Sequence, residues 1–203
     1  SLTFLDHQFA GNSPDLDHLL RILEDPQGKV RQWAAFALGK LASARSASSE
    51  MARLADRPAH NDVERALHEQ WQREIDTGVC RALVIAMGKA GGYVTPRDGK
   101  PGPAAEMLRS AIDYRYAEVL DELPAAVSGV ARNVTELADA PQEDRVTILD
   151  ALIDALQSWL SLPMKNYDAY RATIATLVDL VPRLMALPKP KGEGLAVKGL
   201  SLL

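Results

Sequence analysis

One helix is written twice in this chain. Residues 30–42 read VRQWAAFALGKLA, and 49 residues further on, residues 79–91 read VCRALVIAMGKAG, with Val, Ala, Gly and Lys at matching places. A segment that recurs in register limits the chain to folds that offer the same packing environment more than once.

Its apolar pattern says which environment. In the first copy Val30, Trp33, Ala34, Ala37, Leu38 and Leu41 follow the spacing i, i+3, i+4, i+7, i+8, i+11, one stripe along a helix. The second copy repeats it with Val79, Ala82, Leu83, Ala86, Met87 and Ala90. Yet Ala35 and Phe36, and Val84 and Ile85, are apolar off that stripe. Phe36 lies roughly 240° round from Val30 at 100° per residue. A helix apolar on several sides needs neighbours on several sides. The recurring helix is therefore expected to be one layer of a stack, with Leu38 and Met87 buried at equivalent places. Gly39 and Gly88 also recur. A glycine inside a helix costs about 1 kcal/mol relative to Ala, so its repetition points to close helix–helix approach, the alternative being that each simply weakens the helix near its end.

The rest of the chain reads as further helices. Leu16, Leu19, Leu20 and Leu23 form the stripe of a first helix that Ser13 and Pro14 would start. Between the copies, SASSEMARLADRP predicts a short helix stopped by Pro58. AHNDVERALHEQWQREID predicts a longer one, with Asn61 and Glu64 spaced as a capping box. Residues 91–103, GGYVTPRDGKPGP, hold seven Gly or Pro in thirteen and read as a loop, with Tyr93 and Val94 as one side of a short hairpin arm. Helices are expected near 104–113, 116–123, 124–138, 142–162 and 167–187, with Pro124 starting or kinking one and Pro182 kinking the last. The end, KPKGEGLAVKGLSLL, reads as a Pro/Gly linker and an apolar tail without a period.

Composition narrows the function classes. Of 203 residues 47% are hydrophobic but only 5% aromatic, which suits an all-α interior of Ala- and Leu-rich helix contacts. The net charge of -4 gives no general attraction to phosphate backbones. The single cysteine, Cys80, cannot form an internal disulfide and reads as a buried small apolar residue. No run is long and apolar enough to span a membrane, and the opening SLTFLDHQFAGN lacks a signal-peptide pattern, so cytoplasm is the default expectation.

The pattern D-x4-V-R-x2-A-x2-A-L-G, at Asp25, Val30, Arg31, Ala34, Ala37, Leu38 and Gly39, resembles the HEAT repeat, in particular the short form found in phycobilin-lyase-like proteins. The resemblance implies an all-α, HEAT-like α-solenoid, a right-handed superhelix of antiparallel pairs with about eight or nine helices. It implies a repeat domain over 1–188, clear over 14–91 and degenerate over 104–188, followed by the linker and tail at 189–203. It also implies structural rather than functional roles for Asp25 and Arg31. The second copy departs from the pattern: Glu74 stands where Asp25 does, Cys80 where Arg31 does, and Arg81 falls one place later, so an acid-to-arginine ladder is not expected there.

Chemistry is sparse. His7, His18, His60 and His68 make no metal-binding i, i+4 pair, and the lone His68-Glu69 does not reproduce the several His-Glu pairs of HEAT-like iron hydroxylases. RDGKPG fails as a phosphate loop because Val94 stands where Gly is needed and Pro101 where Ser or Thr is. Asn133-Val-Thr falls inside a predicted helix. No cofactor, metal or catalytic group is expected. The function expected is a non-catalytic scaffold or adaptor that binds another protein or peptide, with no membrane partner. A phycobilin-lyase-like chromophore handler and a nucleic-acid-backbone binder are the alternatives. Repeat geometry aligns Gln32, Phe36 and Lys40 with Arg81, Ile85 and Lys89, off the main stripe, and the adjoining loop adds Tyr93, Arg97 and Lys100. These nine residues are the expected binding surface, with Phe36, Ile85 and Tyr93 as apolar anchors; the alternative is that neighbouring helices cover Phe36 and Ile85.

Overall fold

The structure is a computed structural model that describes residues 16–46, 50–96, 100–114, 116–136, 140–163, 167–187 and 191–203. Among these, every element longer than one residue is helical: α1 Leu16–Ile22, α2 Gly28–Ser46, α3 Glu50–Arg73, α4 Thr77–Ala90, α5 Pro103–Tyr114, α6 Ala117–Leu120, α7 Leu123–Glu136, α8 Gln142–Leu160, α9 Tyr167–Met185 and α10 Lys191–Leu200. The Ser13 cap and Arg97 lie outside the described residues.

The helices fall into two rows. α2, α4, α7 and α9 touch one another in that order, and α1, α3, α5, α8 and α10 do the same behind them. Within a row neighbours run parallel. A Cβ built on Gly28 of α2 would meet the Asp76 carboxylate that caps α4, and one on Gly39 would meet Ala86, so the two starts and the two ends coincide. α4 and α7 repeat this, with Arg81 bonded to Glu122 near their starts and Asn133 donating to the Gly91 carbonyl at 2.8 Å near their ends. In the second row Trp71 Nε1 of α3 donates to Ser110 Oγ of α5 at 2.8 Å, and Lys191 and Lys198 of α10 pair with Glu143 and Asp150 of α8.

Leu38 and Met87 are both fully buried, the equivalence that the repeat predicts. α4 is covered on most of its circumference, by α2 and α7 in its own row and by α3, α5 and α6. This is why Val84, off the main stripe, is buried with the rest. The two glycines sit at the tightest crossings. A Cβ on Gly39 would stand 2.9 Å from Ala86 Cα, and one on Gly88 only 2.6 Å from Ala126 Cα. No side chain larger than hydrogen fits either place without moving backbone.

Three local expectations need correction. Residues 50–73 form one helix that passes through Pro58, so Asn61 starts nothing and there is no capping box. Glu64 does cap a helix, but a different one: its carboxylate accepts from Ala104 N at the start of α5, and from Tyr93 N and Val94 N at 2.8 and 3.0 Å. The tail is not aperiodic, because residues 191–200 form α10, which buries Leu195 and Ala196 against the core. Pro124 begins α7 at its second residue, where its missing N–H is no loss, and α9 runs on past Pro182 to Met185.

Candidate functional site

The front row leaves a groove. α4, α7 and α9 lie side by side, and each turns small side chains outward where they meet. On α7 the positions 125, 129, 133 and 136 recur at three- and four-residue spacing, with Ala126 beside them and Glu122 just ahead of the helix, so one helix face forms the floor. α4 adds Ile85, Gly88 and Lys89, and α9 adds Ala172, Ala175, Thr176 and Asp179. The cavity holds about 770 Å³. Its floor of Gly88, Ala125, Ala126, Ser128 and Gly129 follows from the crossing geometry. The helices approach so closely at Gly88 that larger residues on α7 are excluded there. Thr176 Oγ1 shares its proton between the Ala172 carbonyl of its own helix at 2.9 Å and the Pro124 carbonyl at 3.1 Å, which brings α9 against α7 beneath the groove. The rim carries Lys89 and Arg132 on one hand and Glu122, Glu136 and Asp179 on the other, so it presents both signs.

The eight of the nine expected residues that are described do not share one surface. Ile85 and Lys89 line the groove. Arg81 is exposed at its edge but engaged, with Nε 2.9 Å and Nη2 2.5 Å from Glu122 Oε1. This corrects the expectation that the acid–arginine ladder fails in the second copy. The one-residue shift to Arg81 lets it reach the next layer, much as Arg31 reaches Glu74. Gln32 is half-buried at the start of α2 beside Gly78, Phe36 is half-buried against the core, and Lys40 is exposed. Lys100 is exposed after the loop.

Tyr93 is the clear correction. It is 7% exposed, its ring stacked on His60 of α3 with centroids 4.3 Å apart. Its backbone N–H is held by Glu64. Tyr93 and Val94 are thus held inward against the back row rather than extended as an arm, and Tyr93 cannot anchor a partner.

The groove's α7 and α9 residues went unseen in the sequence. Their signal was present in Ala125-Ala126 and Ser128-Gly129, pairs of small residues one turn apart.

The buried ionisable groups serve the fold. Glu64 is held by its backbone donors; burial pushes its carboxyl up to about 7, against the N–H groups of Val94, Tyr93, Ala104 and Gly92, which pull it down. Burial also raises the Cys80 thiol, to about 11, as suits an inert core residue. No group of three His, Cys, Asp or Glu side chains among the described residues could hold a metal. No helix among them is long and apolar enough to cross a membrane. No protein-family model matches the chain, and no curated protein matches it as a relative.

Proposed function

We propose that the chain is a HEAT-like, right-handed α-solenoid that acts as a non-catalytic scaffold or adaptor, holding a segment of another protein in the groove across α4, α7 and α9. The observation that carries this is the groove itself: about 770 Å³ of open space with a floor of glycine, alanine and serine and a rim of both charge signs. A floor of small side chains lets a bound backbone approach the helices closely, and rim charges select sequence without a large desolvation cost. Two parallel rows, joined by short connections and repeating the same crossing at Gly39 and Gly88, support the solenoid reading.

The test fills the groove. Ala125 and Ala175 are exposed groove residues, so Ala125→Trp with Ala175→Trp occupies the space without touching the core. Peptides selected from a displayed random library on the native chain should share a motif and lose binding to the double variant by at least about tenfold. Enrichment that the tryptophans leave unchanged, or no enrichment, contradicts the proposal.

A further inference from the structure

The groove does not end at Glu136. A second cavity of about 360 Å³ opens beside it, lined by Thr135 and Glu136 of α7, Arg145 of α8, and Arg183, Ala186 and Leu187 of α9. Glu136 lines both spaces, so they adjoin and form one track along α7. From Ala125 to Glu136 the helix rises about 17 Å, the span of about five extended residues.

The charged side chains that line this track divide into two groups. Two of its acids are neutralised within the chain, Glu122 by Arg81 and Asp179 by Arg183. Lys89, Arg132 and Arg145 pair with no acid among the described residues. Lys89 and Arg132 are exposed. Arg145 is half-buried, and its Nε is closed off from solvent with no acceptor among the described residues. Each guanidinium offers five N–H groups in a plane, and the ammonium offers three. The ends of α4 and α7 each carry about half a negative charge, which attracts a cation but takes up none of its side-chain N–H groups. Three cations thus stand against one remaining lining acid, Glu136. The track is rich in donors and short of acceptors.

We infer, resting on the reading of the groove as a peptide site, that the track takes an acidic segment of a partner protein, its carboxylates bound by Lys89, Arg132 and Arg145. A carboxylate supplies what these residues lack, since an arginine can hold it through two parallel N–H···O bonds. The net charge of -4 does not oppose this at contact distance. At physiological salt, exposed charges are screened beyond about 8 Å, so the cations on the track decide. A nucleic-acid strand fits less well. No aromatic side chain lines either cavity to stack a base, and Glu122, Glu136 and Asp179 border the path that a phosphate backbone would follow.

Fluorescence anisotropy of the native chain with three labelled peptide pools, each long enough to fill the track, tests it. The pools share Ala, Leu, Ser and Gly at the same positions and differ only in carrying Asp and Glu, Lys and Arg, or Asn and Gln between them. The acidic pool should bind at least about tenfold tighter than either of the others. Lys89→Glu with Arg132→Glu alters two exposed side chains, so circular dichroism should stay helical while the preference turns to the basic pool. Arg65→Glu with Arg109→Glu makes the same change of net charge on exposed residues of the back row and should leave the acidic preference as it was. If the basic or neutral pool binds tightest and Ala125→Trp with Ala175→Trp abolishes that binding, the acidic inference is overturned and the groove reading stands. If no pool binds, both fall. Tighter binding of an oligothymidylate than of the acidic pool overturns the inference, as does acidic binding that the Lys89 and Arg132 reversal leaves unchanged.

Discussion

Glu74 holds two layers together with one carboxylate. Arg31 Nε and Nη2 donate to its two oxygens at 2.8 and 2.9 Å, Gln70 Nε2 adds a third bond, and Ile75 N and Asp76 N add two more. Arg31 Nη1 donates to the Asp25 and Pro26 carbonyls, so the guanidinium spans the turn before α2 and the turn before α4. Burial alone would raise the Glu74 carboxyl, but Arg31, the Asp76 N–H and Gln70 outweigh it and hold it down at about 2, against an ordinary 4.5. Removing one partner of a buried pair strands the other charge, so Glu74→Gln should cost about 3 kcal/mol in urea denaturation at neutral pH. The folded pKa lies below the unfolded one, so this contribution is complete above about pH 4.5 and is lost as pH falls through about 2. The difference between native chain and variant should accordingly be constant above pH 4.5 and shrink below it. A difference that persists unchanged to pH 2 would contradict the assignment. The HEAT-repeat resemblance implied structural roles for Asp25 and Arg31, and Arg31 does bond between layers. But the acid it needs is Glu74, 43 positions on, and only the packing of α4 beside α2 brings that carboxylate within reach.

At the scale of the helices, glycine spacing decides how near the layers stand. Gly88→Ala gains about 1 kcal/mol of helix propensity. It also places a Cβ 2.6 Å from Ala126 Cα, a backbone atom that cannot rotate away. Overpacking of this kind costs about 1–3 kcal/mol, so the net effect should be a lower melting temperature. Gly194, in α10, has nothing within 4 Å of its built Cβ, so Gly194→Ala keeps the propensity gain and should raise the melting temperature. Two like substitutions with opposite signs separate close approach from helix fraying; a Gly88→Ala variant as stable as the native chain would remove the close crossing. These crossings were legible in the sequence because Gly39 and Gly88 recur in register with an apolar stripe. The groove floor was not. Ala125, Ala126 and Gly129 carry the same residue types as the core, and only the position of α9 determines which of them stay uncovered. The inward turn of Tyr93 was hidden for a related reason. It depends on a carboxylate 29 residues earlier, in a helix that was expected to begin at Asn61 rather than to carry Glu64 past it.

For the whole molecule, the layered arrangement gives each surface its character. The front row leaves a groove along α7 between α4 and α9, and the back row holds Tyr93, Val94 and the start of α5 through Glu64. The groove depends on α4 and α7 standing in parallel register, the relation that α2 and α4 share. Nuclear Overhauser spectroscopy of the folded chain tests that register directly. The account predicts strong cross-peaks from Gly39 Hα to the Ala86 methyl and from Gly88 Hα to the Ala126 methyl in the same spectrum, since built Cβ positions at the two glycines fall 3.2 and 3.0 Å from those methyl carbons. A well-dispersed helical spectrum in which either cross-peak is absent would contradict it.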